Sequence, residues 1–168
     1  RALPWQRNLE HHLAISPEPS ARRSFLDCFG NRITKIHFTA DHEYLEIISE
    51  FWVELRERPK PSAAAAKVPW ETVRDSLRYR ADRKFPADHL QATAFRFVST
   101  NVPIDSQYAA YAREAFLPGR PLVEAADALM RMIHRDFSFD ASATETFTPV
   151  EQAFKARRGV CQDFSHIM

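Results

Sequence analysis

The sequence predicts an α+β protein in which an N-terminal antiparallel β region, residues 1–57, precedes a helical region, residues 71–168. Three observations carry this. Apolar residues recur with a period of two as far as Leu55 and with a helical period beyond Trp70. The stretch "RPKPSAAAAKVPW", residues 58–70, follows neither period and mixes prolines with small residues, as a connector between domains does. A chain of 168 residues, 45% of them hydrophobic, is also long enough to bury a core without disulfides.

In chain order, "LEHHLAI" places Leu9, His11, Leu13 and Ile15 on one face of a strand. "RSFLDCFGNRITKIHF" reads as a β-hairpin, with Gly30-Asn31 as its two-residue turn because both residues tolerate positive φ. "YLEIISEFWVEL" alternates again, with Leu45, Ile47, Phe51, Val53 and Leu55 on one face. Beyond the connector, "PADHLQATAFRFV" and "IDSQYAAYAREAFL" carry helical patterns. "PLVEAADALMRMIHRDF" carries the strongest one, a stripe of Leu122, Ala125, Ala126, Leu129, Met132 and Ile133 behind Pro121 at the first helical position. "DFSFD" alternates as a short extended segment. "TPVEQAFKARRG" then predicts a helix capped by Thr148, with Pro149 first, Glu151 closing a capping box, and Gly159 ending it in the left-handed conformation.

Composition narrows the function classes. The 23 basic and 22 acidic residues are interspersed and leave a net charge of +1, so no basic stripe marks a nucleic-acid or membrane surface. No run of roughly 20 apolar residues offers a membrane span. The two cysteines, Cys28 and Cys161, make no disulfide framework, and a reducing cytoplasm is the expected compartment. The chain opens on "RALPWQR" without an initiator Met and closes inside an apolar-patterned helix. A fragment is expected, with Phe164, Ile167 and Met168 exposed and prone to self-association.

The chemistry concentrates at Cys161. If "VCQDFSHIM" begins a helix, its unpaired first N–H groups and dipole favour a negatively charged sulfur there; Arg157 and Arg158 add positive potential, and Gly159 lets a substrate backbone approach. A small buried thiol is the competing reading, equally open on spacing alone. His166 does not suit as its base: five residues on, it lies about 140° around the helix, whereas Ser165 shares the face of Cys161. His134 follows the apolar stripe of its own helix and reads as structural or surface. Cys28 reads as a packing or edge residue. Adjacent His11 and His12 point to opposite faces of a strand. "DHEY", residues 41–44, is the one turn with several potential metal ligands, but no metal or cofactor motif is present.

"RRGVCQDFSHIM" resembles the nucleophile segment of the bacterial transglutaminase-like superfamily, in which a Gly-x-Cys-Gln-Asp-Phe-x-His run opens the central catalytic helix. "DCFGN" resembles that family's Asp-x-Phe-Gly-Asn turn, and "FSFDASATETFTPVEQAFKARRGVCQDF" resembles its approach to the cysteine. The resemblance implies a papain-like core, Cys161 as the nucleophile of a Cys-His-Asp triad, and Gly159 and Gln162 as substrate-binding or oxyanion support. It implies thioester acyl transfer on a peptide or protein amide, without a cofactor. It also places the triad His and Asp beyond the cysteine helix, so these 168 residues alone are expected to be inactive. The alternative is a non-catalytic binding or scaffold protein that retains the fold.

Overall fold

The computed structural model describes residues 3–78, 80–82, 84 and 86–168. The chain divides into two units, Arg1–Lys60 and Pro61–Met168. The first holds four strands: β1 (Gln6–Ser16), β2 (Ala21–Leu26), β3 (Arg32–His37) and β4 (Glu46–Leu55). β1 pairs antiparallel with β4, and β2 with β3. The predicted β region is therefore a long ladder whose two strands bracket a hairpin in sequence.

Two local corrections arise here. The hairpin turn is not the two-residue Gly30-Asn31 but the five residues Asp27–Asn31. The Asp27 carboxylate organises it, accepting from the Phe29 N–H at 2.8 Å and from the Asn31 N–H at 2.7 Å through Oδ1, and from Asn31 Nδ2 at 3.0 Å through Oδ2. Gly30 takes φ 76°, the left-handed region in which a Cβ is costly. In β1, the register shifts between Asn8 and Glu10, so Leu9 is an extra residue without a partner on β4. Such a bulge moves everything before it by one position. His11, Leu13 and Ile15 do share a face with Phe51 and Ile47, whereas the residue facing Val53 is Asn8 and not Leu9.

In the second unit, Trp70–Ser76 (α1), Ala87–Ala94 (α2), Ser106–Ala112 (α3), Leu122–Asp136 (α4), Val150–Ala156 (α5) and Cys161–Ile167 (α6) are helical. Two short strands, β5 (Ser138–Phe139) and β6 (Arg158–Gly159), pair in parallel. α3 starts as capping chemistry requires, with the Asp105 carboxylate accepting from the Gln107 N–H at 2.8 Å. The stripe on α4 is the centre of the core: Ala125, Leu129, Met132 and Ile133 are buried, and Ala115, Phe137 and Phe154 close over it. Each of the larger side chains among these, Leu129, Met132, Ile133, Phe137 and Phe154, contributes about 1.5–3 kcal/mol relative to leaving it in water.

Phe164 and Ile167 of α6 also pack on this core, contrary to the expectation that they lie open; of the three, Met168 remains exposed. The prolines sit one place earlier than predicted. Pro121 and Pro149 are the extended N-cap residues of α4 and α5, with ψ 138° and 133°. Their fixed φ suits that position as well as the first helical one. Among the described residues no helix is long and apolar enough to cross a membrane.

Candidate active site

α5 ends two residues sooner than the glycine suggested. The left-handed residue after it is Arg157, at φ 55° and ψ 28°, and not Gly159. The reason is that Arg158 and Gly159 must be extended to form β6, with the Ser138 N–H donating to the Arg157 carbonyl at 2.9 Å and the Asp140 N–H to the Gly159 carbonyl at 3.0 Å. Nor does Thr148 cap α5. Its hydroxyl is turned back to accept from the Glu145 N–H at 2.8 Å, and Glu151 pairs with Lys155 at 2.6 Å, so no capping box forms.

Gly159 is needed for a different purpose. A Cβ built on it would lie 2.6 Å from Asp163 Oδ2 and 3.0 Å from Asp163 Cβ and Cγ. Asp163 is 3% exposed, the one buried charged side chain among the described residues. Its Oδ2 accepts from the Val160 N–H at 2.8 Å and from the Thr144 hydroxyl at 2.6 Å. Val160 is the N-cap of α6, so Asp163 reaches back from the third helical position to satisfy the N-cap amide, the reciprocal half of a capping box. The close approach expected of a substrate at Gly159 is thus made by a carboxylate of the same chain.

Cys161 stands at the first position of α6, exposed to solvent and free of any disulfide. The competing picture of a small buried thiol does not hold. The Phe164 N–H closes the first turn on the Val160 carbonyl at 3.2 Å, which leaves the Cys161 and Gln162 N–H groups without intrahelical acceptors beside the sulfur. Gln162 is exposed, and its Nε2 donates to the Thr146 carbonyl at 3.2 Å, tying the 140–148 loop to the helix start a second time after Thr144. Ser165, on the face of Cys161 as the helical period requires, donates from Oγ to the Cys161 carbonyl at 2.8 Å.

An apolar groove of about 360 Å³ adjoins this helix, lined by Met130, Ile133, His134, Phe137, Phe139, Phe164, Ser165 and Met168. His134 therefore faces a cavity shared with α6. Cys28 lies exposed in the hairpin turn of the first unit. His11 Nε2 is 3.0 Å from Ser49 Oγ, and His42 packs its ring 4.7 Å from that of Phe38. Among the described residues, no group of three or more His, Cys, Asp or Glu side chains is arranged to hold a metal ion.

Sequence reasoning missed Thr144 and the depth of Asp163, because the two are 19 residues apart and only the fold joins them. It also read Arg157 only as a source of positive potential. The guanidinium of Arg157 is enclosed by the rings of Tyr111, Phe137 and Phe154, at 4.7, 4.6 and 4.7 Å from their centroids.

An antiparallel β unit followed by a helical unit defines the class of fold, α+β. The fold matches a crystal structure from Cytophaga hutchinsonii, named a "putative cysteine protease", with a TM-score of 0.64 at 16% identity over 99% of this chain and 53% of that one. Residues 1–54 match the bacterial transglutaminase-like N-terminal region. That family likeness rests on residues 1–54, and the rest of the chain shares the fold of the Cytophaga structure. Similar proteins include the uncharacterized proteins Rv2569c of Mycobacterium tuberculosis and Mb2599c of Mycobacterium bovis, each 34% identical over 166 residues, or 96% of this chain and 49% of theirs. The chain spans about half the length of these relatives.

Proposed function

We propose that Cys161 is the nucleophile of a cysteine peptidase or amidase that acts on peptide or protein amides by thioester acyl transfer. The observation that carries the reading is the exposed Cys161 sulfur at the first position of α6, beside two N–H groups without intrahelical acceptors. The sulfur attacks the amide carbonyl carbon, the oxygen becomes an oxyanion, and the C–N bond breaks as the leaving amine takes a proton. Water then hydrolyses the thioester and restores the thiol. The Cys161 and Gln162 main-chain N–H groups are the oxyanion donors in this scheme. Gly159 contributes indirectly, by admitting the Asp163 carboxylate that anchors the helix start. The Gln162 amide contributes by holding the loop that flanks the sulfur.

The general base is not His166, which lies about 140° around α6 from Cys161. In this reading it is an imidazole from outside α6, oriented by a carboxylate. The cysteine-protease name of the Cytophaga structure supports the reaction class, and residues 1–168 by themselves are proposed to be inactive.

Iodoacetamide labelling of the full-length protein near pH 6 tests the proposal. Cys161 is expected to be alkylated much faster than Cys28, and Cys161→Ala to abolish amide cleavage. Equal, slow labelling of both thiols argues against an activated sulfur, and full activity in Cys161→Ala refutes the reading. A non-catalytic scaffold is the second reading, favoured by the exposed aromatic and aliphatic side chains of β4, where Phe51 and Trp52 are 61% and 69% exposed. It predicts the slow-labelling outcome.

A further inference from the structure

We propose that Arg157 is a positioning residue for Cys161, acting as a cationic plug that fixes the strand leading into α6; this rests on Cys161 being the reactive thiol. Two observations at Arg157 are costly singly and explain each other. Its backbone is left-handed, a conformation that brings the Cβ of any residue but glycine too close to the following carbonyl oxygen. Its guanidinium is enclosed by three aromatic rings, with Nη1 shielded from solvent and without a hydrogen-bond partner. Glycine would supply the backbone at no cost but would leave a void among Tyr111, Phe137 and Phe154. Arginine fills that void, and desolvation strengthens its attraction to the ring faces.

The plug connects to the sulfur by two routes. Along the backbone, the Arg157 carbonyl accepts from the Ser138 N–H, which fixes β6 against β5; α6 starts two residues after β6 ends. Through side chains, Phe137 contacts both the guanidinium and, at 5.9 Å between ring centroids, Phe164 of α6. Emptying the box lets Phe137 collapse inward and releases the helix that carries Cys161. Arg157 touches no reacting atom in this account.

The test uses the full-length protein in a Cys28→Ser background, so that Cys161 is the reporting thiol of this region. Arg157→Gly keeps the left-handed backbone free of strain and removes the cation, Arg157→Lys keeps a cation on a flexible stem, and Arg157→Ala removes both advantages. Two quantities are read well below each variant's melting temperature: the alkylation rate of Cys161, and hydrogen exchange at the Ser138 and Val160 amides. Loss of a desolvated cation–π contact is expected to slow alkylation about tenfold in Arg157→Gly and Arg157→Ala, with Arg157→Lys within about threefold of the parent. Exchange at both amides should rise in the same order.

If Arg157→Ala does not fold, the Gly and Lys variants decide. A parent Cys161 no more reactive than an ordinary thiol refutes the nucleophile reading, and exchange then decides alone whether Arg157 fixes the segment. Arg157→Gly matching the parent in rate and exchange overturns the proposal, whatever the melting temperature does, because the backbone alone would then suffice.

Discussion

Gly159→Ala is the substitution for which the structure makes the sharpest forecast. The added methyl would stand 2.6 Å from Asp163 Oδ2, closer than real Cβ contacts come. Asp163 cannot yield freely, since it is 3% exposed and its Oδ2 is held by the Val160 N–H at 2.8 Å and the Thr144 hydroxyl at 2.6 Å. Overpacking costs about 1–3 kcal/mol, and a disrupted hydrogen bond to a charged group costs about 1.5–3 kcal/mol. Relaxation shares these between backbone and side chain, so a loss of about 3 kcal/mol is expected. Gly119→Ala is the control: at φ +73°, with nothing within 4 Å of its added Cβ, it carries the left-handed strain alone, about 1 kcal/mol. Urea unfolding of a Trp5→Phe, Trp52→Phe background reports on the second unit through Trp70, whose Nε1 donates to the Leu117 carbonyl at 3.1 Å. At a slope of roughly 1.5 kcal/mol/M, Gly159→Ala should lower the midpoint by about 2 M and Gly119→Ala by about 0.7 M. On an Asp163→Ala background, Gly159→Ala should cost only about 1 kcal/mol, a coupling of about 2 kcal/mol. A Gly159→Ala shift no larger than that of Gly119→Ala refutes the reasoning.

Three further outcomes are open to measurement. The backbone hydrogen bond from Asn31, ahead of its other partners, holds the Asp27 carboxyl below the ordinary aspartate range; its contribution to the turn is therefore complete above about pH 4 and is lost as pH falls through the depressed value. The Phe29 and Asn31 amide shifts should titrate together in that acidic window, and titration at or above pH 4 would contradict this. Burial first, then the hydrogen bond to Asp136, pushes the Tyr111 hydroxyl up to about 12, so the stability linked to it is full below about pH 10 and is lost as pH rises toward the raised value. Ultraviolet titration should show Tyr111 ionising late, and Asp136→Asn should bring it down only part of the way because burial remains; a return to the ordinary value would make the hydrogen bond the larger cause. The 168-residue chain, with Leu55 70% exposed and Phe139 64% exposed, should bind an apolar dye and associate with concentration. A dye-silent monomer across a concentration series would contradict that.

Features that rest on local period were legible in the residues. Of the six side chains named in the α4 stripe four are buried, Leu122 and Ala126 being half-buried, and the aromatic and β-branched residues flanking Gly30-Asn31 do form the β2–β3 hairpin. What escaped were details decided by one side chain reaching across the chain. The hairpin loop is five residues because Asp27 can serve several donors at once, an option that Gly30-Asn31 alone does not disclose. The left-handed residue is Arg157 because residues 111, 137 and 154 build a box for its side chain. Glycine preference alone pointed two positions too far. Helical spacing correctly set Ser165 beneath Cys161, but no periodicity could show that Asp163 is buried against Thr144.

The nesting of β2–β3 inside β1–β4 bears on how the first unit assembles. The hairpin closes a five-residue loop, whereas β1–β4 must bring Ser16 to Glu46 across all the chain between them. Closure entropy rises with the length of free chain, so a hairpin already formed shortens the search the outer strands must make. Asp27, whose side-chain hydrogen bonds to Phe29 and Asn31 lie within the turn, thereby acts on the rate at which the outer strands meet: weakening its turn should slow the zippering of a ladder to which it contributes no residue.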